Sequence, residues 1–565
     1  MDVAMMAAEA GHETASNLLR LEQAAVILLA IAAGVAVLAS RLRFPFTVAL
    51  VIAGFGATLL GDLVEVEVSP DLILGLLVPP LLFEATLHLP WRKLRADMRP
   101  VLASAIVGTL IGTLAVGAVV HAALDIPWAA AFAFGALISA TDPVAVIAFF
   151  KALGTPKRLS VLVEGESLFN DAVAVVAFGL ALSAAEGEAF SLGGAFSDFV
   201  VVSAGGLAVG LVLGYIVSEI ILARVDDGLI ETTTTMALAY GAYLVAESAG
   251  EIVGRSFHFS GILAVVAAGL TVGSLGLKNT SPNTRQTLEH SWELLTFLVN
   301  SLVFLFIGLT VSLSSLVDHA GEVVLAVLTV LAVRLVVVYG LTAIGNTLEP
   351  KRRIPLPFQH VMFWGGLRGA ISLALALLLT ETSIDPDIVE SLQVMTFGVV
   401  VFTLLIQGTT MGPLIQRLGL AGRADNELVQ QHRQARIMMA RAGQAEMNRL
   451  GSQGVLFEEL ADALAVTYQR QVNDEGRKLR SHLREHPELE VAMLLQARRD
   501  ALVAELGALS DVVRTGLVEQ QVADALSVAT NNRLAALDLI EERWESGALP
   551  EEQLVVAERI DGDER

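Results

Sequence analysis

From about residue 22 to 416, long apolar stretches alternate with short polar loops. Each stretch has roughly 20 residues, enough for a helix that crosses about 30 Å of hydrocarbon. The alternation of single apolar and polar residues that is typical of an outer-membrane barrel is weak. The pattern therefore predicts an all-α polytopic membrane protein with about 13 transmembrane helices. The predicted spans are 22–40, 46–62, 71–89, 98–123, 127–150, 158–184, 193–222, 229–249, 258–276, 289–312, 320–347, 357–382 and 387–416.

After the last span the pattern changes. Residues 417–565 are polar and carry apolar positions at helical spacing, as in Val455–Tyr468 and Val491–Leu509. We expect several amphipathic helices that form a cytoplasmic domain, and regulation, dimerisation or simple packing all stay open as its role. At the other end, residues 1–21 are predicted to form an extracytoplasmic segment, which lacks the basic start of a cleavable signal peptide.

Composition and charge agree with a membrane protein of defined orientation. The chain is 54% hydrophobic with a mean hydropathy of +0.64, and it has no cysteine, which excludes disulfides and thiolate metal sites. Lysine and arginine concentrate in one alternate set of loops, as at 92–99 and 351–353, whereas the opposite set holds only Arg20 and Arg255. The positive-inside rule then predicts a multi-pass protein of the cell (inner) membrane, with the N-terminus outside and the C-terminus in the cytoplasm.

The sixth span carries ionisable and polar groups inside an apolar segment. Ser167 and Asp171 are four residues apart, so a helix places their oxygens on one face, where a hydroxyl and a carboxylate suit a small hard cation. Glu166 and Asn170 form a second pair with the same spacing, rotated by one residue. Acidic side chains at membrane depth are costly and are usually functional. A polar seam between packed helices is the alternative interpretation.

The fifth span carries Ser139-Ala140-Thr141-Asp142-Pro143. Pro143 has no N–H, so it removes the helical partner of the Ser139 carbonyl, and it pushes Asp142 away from α geometry. We expect a break at mid-membrane, with freed carbonyls near Thr141 and the Asp142 carboxylate lining a cavity. The alternative is a simple proline kink with an N-capping aspartate.

Residues 365–372 in the twelfth span have the sequence GGLRGAIS, in which glycines weaken the helix and permit close approach. Arg368, and Arg334 in the eleventh span, stay charged and need carboxylates or carbonyls as partners. Glu166 and Glu84 are the candidate acidic partners, and snorkelling to the surface is the alternative for Arg334. The interrupted fifth and twelfth spans are seven apart, which predicts two inverted six-helix repeats joined by the seventh span.

Three motifs resemble the signatures of a known family. TDPVAV at 141–146, ESLFND at 166–171 and GGLRGA at 365–370 look like those of the monovalent cation:proton antiporters, in particular the NhaP-type bacterial sodium/proton antiporters and the related animal sodium/proton exchangers. The resemblance covers the transmembrane domain, 22–416, and implies a homodimer whose core domain holds crossed, broken helices. It also implies a sodium/proton site of Asp171, Asp142, Ser167 and Thr141 with Glu166 close by, supported by Asn170, Arg368, Arg334 and Glu84.

The resemblance implies secondary active exchange of a monovalent cation, sodium first, for protons that compete for Asp171 and Asp142. Because Asn170 cannot ionise, the Asn-Asp pair resembles the electroneutral branch of the family. The expected partners are the cation, the proton, lipid and a second copy of the chain, with no enzyme activity, no cofactor and no nucleic acid. Potassium or lithium in place of sodium, a passive channel, and a non-transporting membrane sensor with the same fold are the alternatives.

Overall fold

The computed structural model describes residues 26–39, 41, 45–57, 69–185, 192–225, 227–249, 259–277, 280, 282–310, 312–421, 423–514 and 517–545. Within these residues the secondary structure is helical and contains no strand, which confirms the all-α prediction. The predicted N-terminal segment 1–21 lies outside the described residues, as do Arg20 and Arg255.

The chain divides into two compact units. The first comprises Met1–Thr347 and Ile354–Leu420, and the second comprises Leu348–Arg353 and Ala421–Arg565. The helices of the first unit are α1 (Val26–Ala39), α2 (Phe46–Ala57), α3 (Leu72–Leu87), α4 (Trp91–Ala96), α5 (Met98–Leu124), α6 (Trp128–Leu137), α7 (Val144–Leu153), α8 (Lys157–Ala185), α9 (Gly193–Leu222), α10 (Gly228–Glu247), α11 (Gly261–Gly276), α12 (Pro282–Thr310), α13 (Leu313–Asp318), α14 (Ala320–Leu348), α15 (Leu356–Trp364), α16 (Ala370–Leu378) and α17 (Pro386–Arg417).

Six helices of the described residues are long and apolar enough to cross a membrane: α5, α8, α9, α12, α14 and α17. Only 22% of the apolar stretch of α9, and likewise of α14, is buried inside the protein. Side chains such as Leu211 and Val336 are exposed. Apolar side chains with no protein partner are what a lipid-facing surface requires. The helices follow the predicted apolar spans closely, while the number of crossings and the inverted-repeat organisation stay predictions.

Two of the predicted spans are interrupted. Helix α6 ends at Leu137 and α7 begins at Val144, directly after Pro143, because proline cannot donate to a helical carbonyl. The segment Gly365–Gly369 separates α15 from α16, where glycine weakens the helix. Helix α8, in contrast, runs unbroken through all the polar groups of the sixth span. The polar residues of α8 are therefore distributed around a regular helix.

The described part of the second unit contains α18 (Arg423–Ser452), α19 (Glu458–Glu485), α20 (Pro487–Arg514) and α21 (Gln520–Glu545). Helices α18 and α19 pack along each other, and Glu475 lies 2.8 Å from Lys478 and 3.7 Å from Arg433. The hydrogen bond from Lys478 holds the pKa of Glu475 below its usual range. Helices α20 and α21 share a small apolar core of Val491, Leu495, Leu537, Ile540 and Trp544. The cytoplasmic location of this unit stays a prediction.

Candidate ion-binding site

The two helix interruptions contact each other inside the first unit. The backbone N–H of Asp142 donates to the carbonyl of Leu367 at 2.8 Å. The hydroxyl of Ser372, in the first turn of α16, donates to the carbonyl of Leu137 at 2.8 Å. A helix end leaves carbonyls without a helical partner. Here the end of α6 finds its donors on the second broken helix.

Arg368 uses the same freed backbone. Its Nη1 donates to the carbonyl of Ala140 at 3.1 Å and to that of Ser139 at 3.4 Å, and the residue is only 4% exposed. Of the two expected kinds of partner, carbonyls rather than a carboxylate therefore hold this guanidinium. The charges of Glu166 and Asp171 lie close enough to act on it. The helix break at Pro143 is what supplies the acceptors.

Two glycines let charged side chains approach the second break. A Cβ atom on Gly369 would collide with the carboxylate of Asp142, and one on Gly366 would collide with the guanidinium of Arg334. Glycine is the residue that permits such close approach to a backbone. The GGLRGA motif is thus explained by two separate contacts, one to an acidic group and one to a basic group.

Asp142 and Asp171 line one cavity of about 80 Å³, which is room for a few water-sized particles. Thr141, Ser167 and Glu164 line the same cavity, and apolar side chains of α3 and α16 close much of the remainder. Asp171 and Ser167 are 8% and 4% exposed. The face of α8 that carries Ser167 and Asp171 is therefore the face that meets the first helix break.

Three polar side chains form a row beside the cavity. Thr141 Oγ1 lies 2.9 Å from Ser167 Oγ, and it accepts a hydrogen bond from Asn170 Nδ2 at 2.7 Å. All three residues are buried. Asn170 therefore fixes the position of the Thr141 hydroxyl, and with it the spacing between the break and α8.

The two carboxylates have different surroundings. Asp142 Oδ1 accepts a hydrogen bond from the Val144 N–H at 2.8 Å, which ties this carboxylate to the start of α7. Asp171 interacts with the backbone N–H of Thr141 and with the charges of Asp142 and Arg368. Asp142 is thus held by its own helix end, while Asp171 reaches the site across the cavity from α8.

The neighbouring face of α8 contacts the side chain of an arginine instead. Glu166 Oε1 lies 3.2 Å from Arg334 Nη1, so Arg334 is ion-paired in the interior and does not depend on snorkelling. Arg334 also donates to the carbonyls of Met362 and Phe363, at the end of α15, at 2.7 and 3.2 Å. Asn170 and Arg334 both line a second, smaller cavity of about 40 Å³. This face holds α8, α14 and α15 together.

Glu84 lies outside these contacts. Its Oε1 is 3.3 Å from His88 Nδ1, one turn along the chain, and in the described contacts it pairs with neither arginine. Its neighbours Leu81 and Ala85 line the larger cavity, whereas Glu84 does not. Arg334 instead takes Glu166, which the path of α8 brings closer.

The structure brings together four of the five predicted ion-site residues, and Glu166 is the exception because it faces Arg334. Glu164 and Ser372 also belong to this region, although neither is among the predicted site residues. Glu164 lines the cavity, and its spacing of three residues from Ser167 and seven from Asp171 predicts that it shares their helix face. The pairing of Ser372 with α6 had no signal, because it depends on how the two breaks meet.

This arrangement suits exchange at a single site. Two carboxylates and two hydroxyls supply the oxygen ligands that a small hard cation prefers. Burial in an apolar surrounding favours the neutral, protonated form of a carboxyl group, and a bound cation favours the ionised form. A proton and a cation would therefore compete for such a site.

Comparisons with known proteins agree on one family. The family model described as "Sodium/hydrogen exchanger, transmembrane" matches residues 26–417. The chain is 35% identical over 515 residues to the Na(+)/H(+) antiporter ApNhaP of Aphanothece halophytica, covering 89% of this chain and 95% of that relative. It is 39% identical over 410 residues to the Na(+)/H(+) antiporter NhaH of Halobacillus aidingensis, covering 70% and 97%.

Among solved structures, the sodium proton antiporter MjNhaP1 from Methanocaldococcus jannaschii at pH 8 is similar to this chain with a TM-score of 0.60. The two are 20% identical, and the match covers 71% of this chain and 99% of that one. At this identity the likeness concerns the fold. It extends over nearly the whole of the solved protein.

Proposed function

Because this chain belongs to the sodium/hydrogen exchanger family, we propose that it exchanges sodium ions for protons across a cell membrane. The observation that carries the proposal is the cavity shared by Asp142 and Asp171, with the hydroxyls of Thr141 and Ser167 at its wall. Oxygen groups of this kind are the ligands that a small hard cation prefers. Sodium is the first expectation because the relatives are named for it.

Competition is enough to couple the two fluxes. Asp171 carries either a proton or a share of the bound sodium, since one displaces the other. If only the protonated or the loaded site crosses the barrier between the two membrane faces, each sodium moved one way requires a proton moved the other way. Asp142 remains a ligand that the Val144 N–H keeps in place. No part of this cycle consumes ATP.

Alternating access needs a movable body around a fixed site. We expect the two broken helices to move as one body, because the Asp142 N–H of one break donates to the Leu367 carbonyl of the other. We expect this core to rock against a dimerisation domain within a homodimer. From the loop charges we expect the C-terminus to lie in the cytoplasm. The expected role of the exchange is pH homeostasis.

The decisive experiment is proton flux in proteoliposomes that contain the purified protein. An imposed sodium gradient should drive proton movement in the opposite direction, and potassium and lithium gradients applied in the same vesicles rank the cations. Protein-free vesicles are the control. Cation conduction without proton movement would identify a channel, and no flux with any cation would leave a sensor as the function.

The stoichiometry has its own test. Asn170 cannot ionise, so we expect one sodium for one proton and no net charge movement. A potential is worth about 2.3 kcal/mol per charge at 100 mV, so an electroneutral cycle should ignore it. Sodium-driven flux is measured in vesicles with a valinomycin-induced potassium diffusion potential of either sign. A rate that follows the sign of the potential would show electrogenic exchange.

A further inference from the structure

Glu164 is a second acidic group on the cavity face of α8. It precedes Ser167 by three residues and Asp171 by seven, and all three line the same cavity. Residues at this spacing lie on one face of a helix, and seven residues correspond to a rise of about 10 Å. Glu164 therefore lies between Asp171 and the Lys157 end of α8, which the loop charges assign to the cytoplasm.

Unlike Glu166, Glu164 has no ion-pair partner among the described residues. Within the described residues its carboxylate makes no hydrogen bond and no ion pair, although it is half-buried. Glu166, two residues later on the same helix, is ion-paired with Arg334. A partly buried carboxylate without a partner is costly to keep. Packing alone does not account for an acidic group at this position.

Three charged groups lie near Glu164. Lys151, Glu84 and His88 are the groups close enough to act on its charge. Glu84 and His88 are engaged with each other, and the side chain of Lys151 is exposed to solvent. The wall of the cavity between Glu164 and Asp171 carries Ser167 and Leu168. A cation that leaves Glu164 thus meets the Ser167 hydroxyl before it reaches Asp171.

We propose that Glu164 is a relay carboxylate that binds the entering or leaving cation transiently, about two helical turns from Asp171. The proposal rests on the exchange function proposed above and adds a residue to its path. A charge at this distance raises the local concentration of cations, and salt screens the effect. Glu164 would therefore set the apparent affinity for the cation more than the maximal rate.

The test compares two variants that each remove one negative charge. Glu164→Gln removes it from the cavity, and Glu219→Gln removes it from an exposed side chain near the end of α9, outside the cavity lining. At low ionic strength, Glu164→Gln should raise the sodium concentration for half-maximal flux about three- to ten-fold, with the maximal rate kept within about two-fold. Glu219→Gln should match the wild type. In 0.5 M choline chloride, on the order of a 4 Å screening length, the difference should shrink to about two-fold.

Two further variants separate charge from structure. Glu164→Asp keeps the charge and should restore most of the affinity. Glu164→Cys introduces a single cysteine into a chain that has none. This variant should react with a membrane-impermeant thiol reagent from the Lys157 side, and sodium should slow the reaction. It reports access to the cavity even if Glu164→Gln folds poorly.

The outcomes are distinct. Normal exchange in the wild type, with equal sodium dependence in Glu164→Gln and Glu219→Gln, would overturn the relay and leave the proposed function intact. A loss of affinity in Glu164→Gln that high salt does not reduce would likewise overturn it, as would a thiol at 164 that sodium does not protect. Absence of exchange in the wild type would overturn the proposed function itself, and the relay with it.

Discussion

Two adjacent faces of α8 show how one short helical segment serves two purposes. The cavity face carries Glu164, Ser167 and Asp171, which line the larger cavity. The neighbouring face carries Glu166 and Asn170, whose partners are protein groups on α14 and at the first helix break. A rotation of one residue, about 100° around a helix, separates the proposed ion site from the brace that Glu166 and Asn170 form.

The difference lies in what satisfies each polar group. On the brace, Glu166 is ion-paired with Arg334, and the Arg334 guanidinium also donates to two backbone carbonyls. Removing one member of a buried pair leaves the other charge uncompensated. On the cavity face, the proposed partner of the acidic groups is a cation or a proton that is exchanged during transport. Variants on the cavity face should change transport, and variants on the brace should change stability.

The largest expected effect is that of Asp171→Asn on the cavity face. The amide cannot alternate between a proton and a cation, so sodium-driven proton flux should fall to the level of protein-free vesicles while the protein stays folded. Flux in proteoliposomes and the melting temperature of the purified protein are measured together. Glu166→Gln is the matched control, since it neutralises a carboxylate on the brace. Robust flux in Asp171→Asn would remove this residue from the mechanism.

Arg334→Ala should be the most destabilising change in the brace. It leaves the Glu166 carboxylate buried without its partner, which costs about 3–5 kcal/mol. The melting temperature should fall sharply, with a smaller change in apparent sodium affinity. In a Glu166→Gln background the same substitution should cost less, and this double-mutant cycle isolates the pair. Unchanged melting with lost affinity would instead place Arg334 on the ion path.

Gly369 and Gly366 in the second break contact different groups, Asp142 and Arg334 respectively. Alanine at either position overpacks a buried contact, at a cost of about 1–3 kcal/mol. Gly369→Ala displaces the Asp142 carboxylate and should reduce flux more than melting temperature. Gly366→Ala displaces Arg334 and should lower the melting temperature more than flux. Equal effects of both variants on both readouts would remove the distinction between the two faces.

The smallest expected effect concerns Thr141, which links the two faces. Thr141→Val keeps the shape but loses the hydroxyl that accepts from Asn170 and contacts Ser167, a loss of about 1 kcal/mol. Apparent sodium affinity should fall several-fold with little change in maximal rate. Thr141→Ser keeps the hydroxyl and should stay close to wild type. A sodium affinity that is unchanged in Thr141→Val would exclude this hydroxyl as a ligand.

The positions of the helices and of their breaks were predictable from the sequence. Apolar stretches of membrane length set the helices, since a chain in lipid must satisfy its backbone within each segment. Pro143 and the glycines at 365–369 set the interruptions, because these residues act on the backbone locally. The four-residue spacing of Ser167 and Asp171 likewise placed both on one face. Each of these inferences needed only neighbouring residues.

Only the tertiary structure decided which distant groups meet. Arg368 takes the carbonyls of Ser139 and Ala140, Glu166 takes Arg334, and Glu84 takes His88. Candidate partners could be named from charge, but the choice depends on how helices far apart in the chain pack. The sequence by itself determined the helices, their breaks and the chemical groups of the site. The packing of the two broken helices decided which of those groups face the cavity and which brace it, because a side chain's partner is set by distance in space.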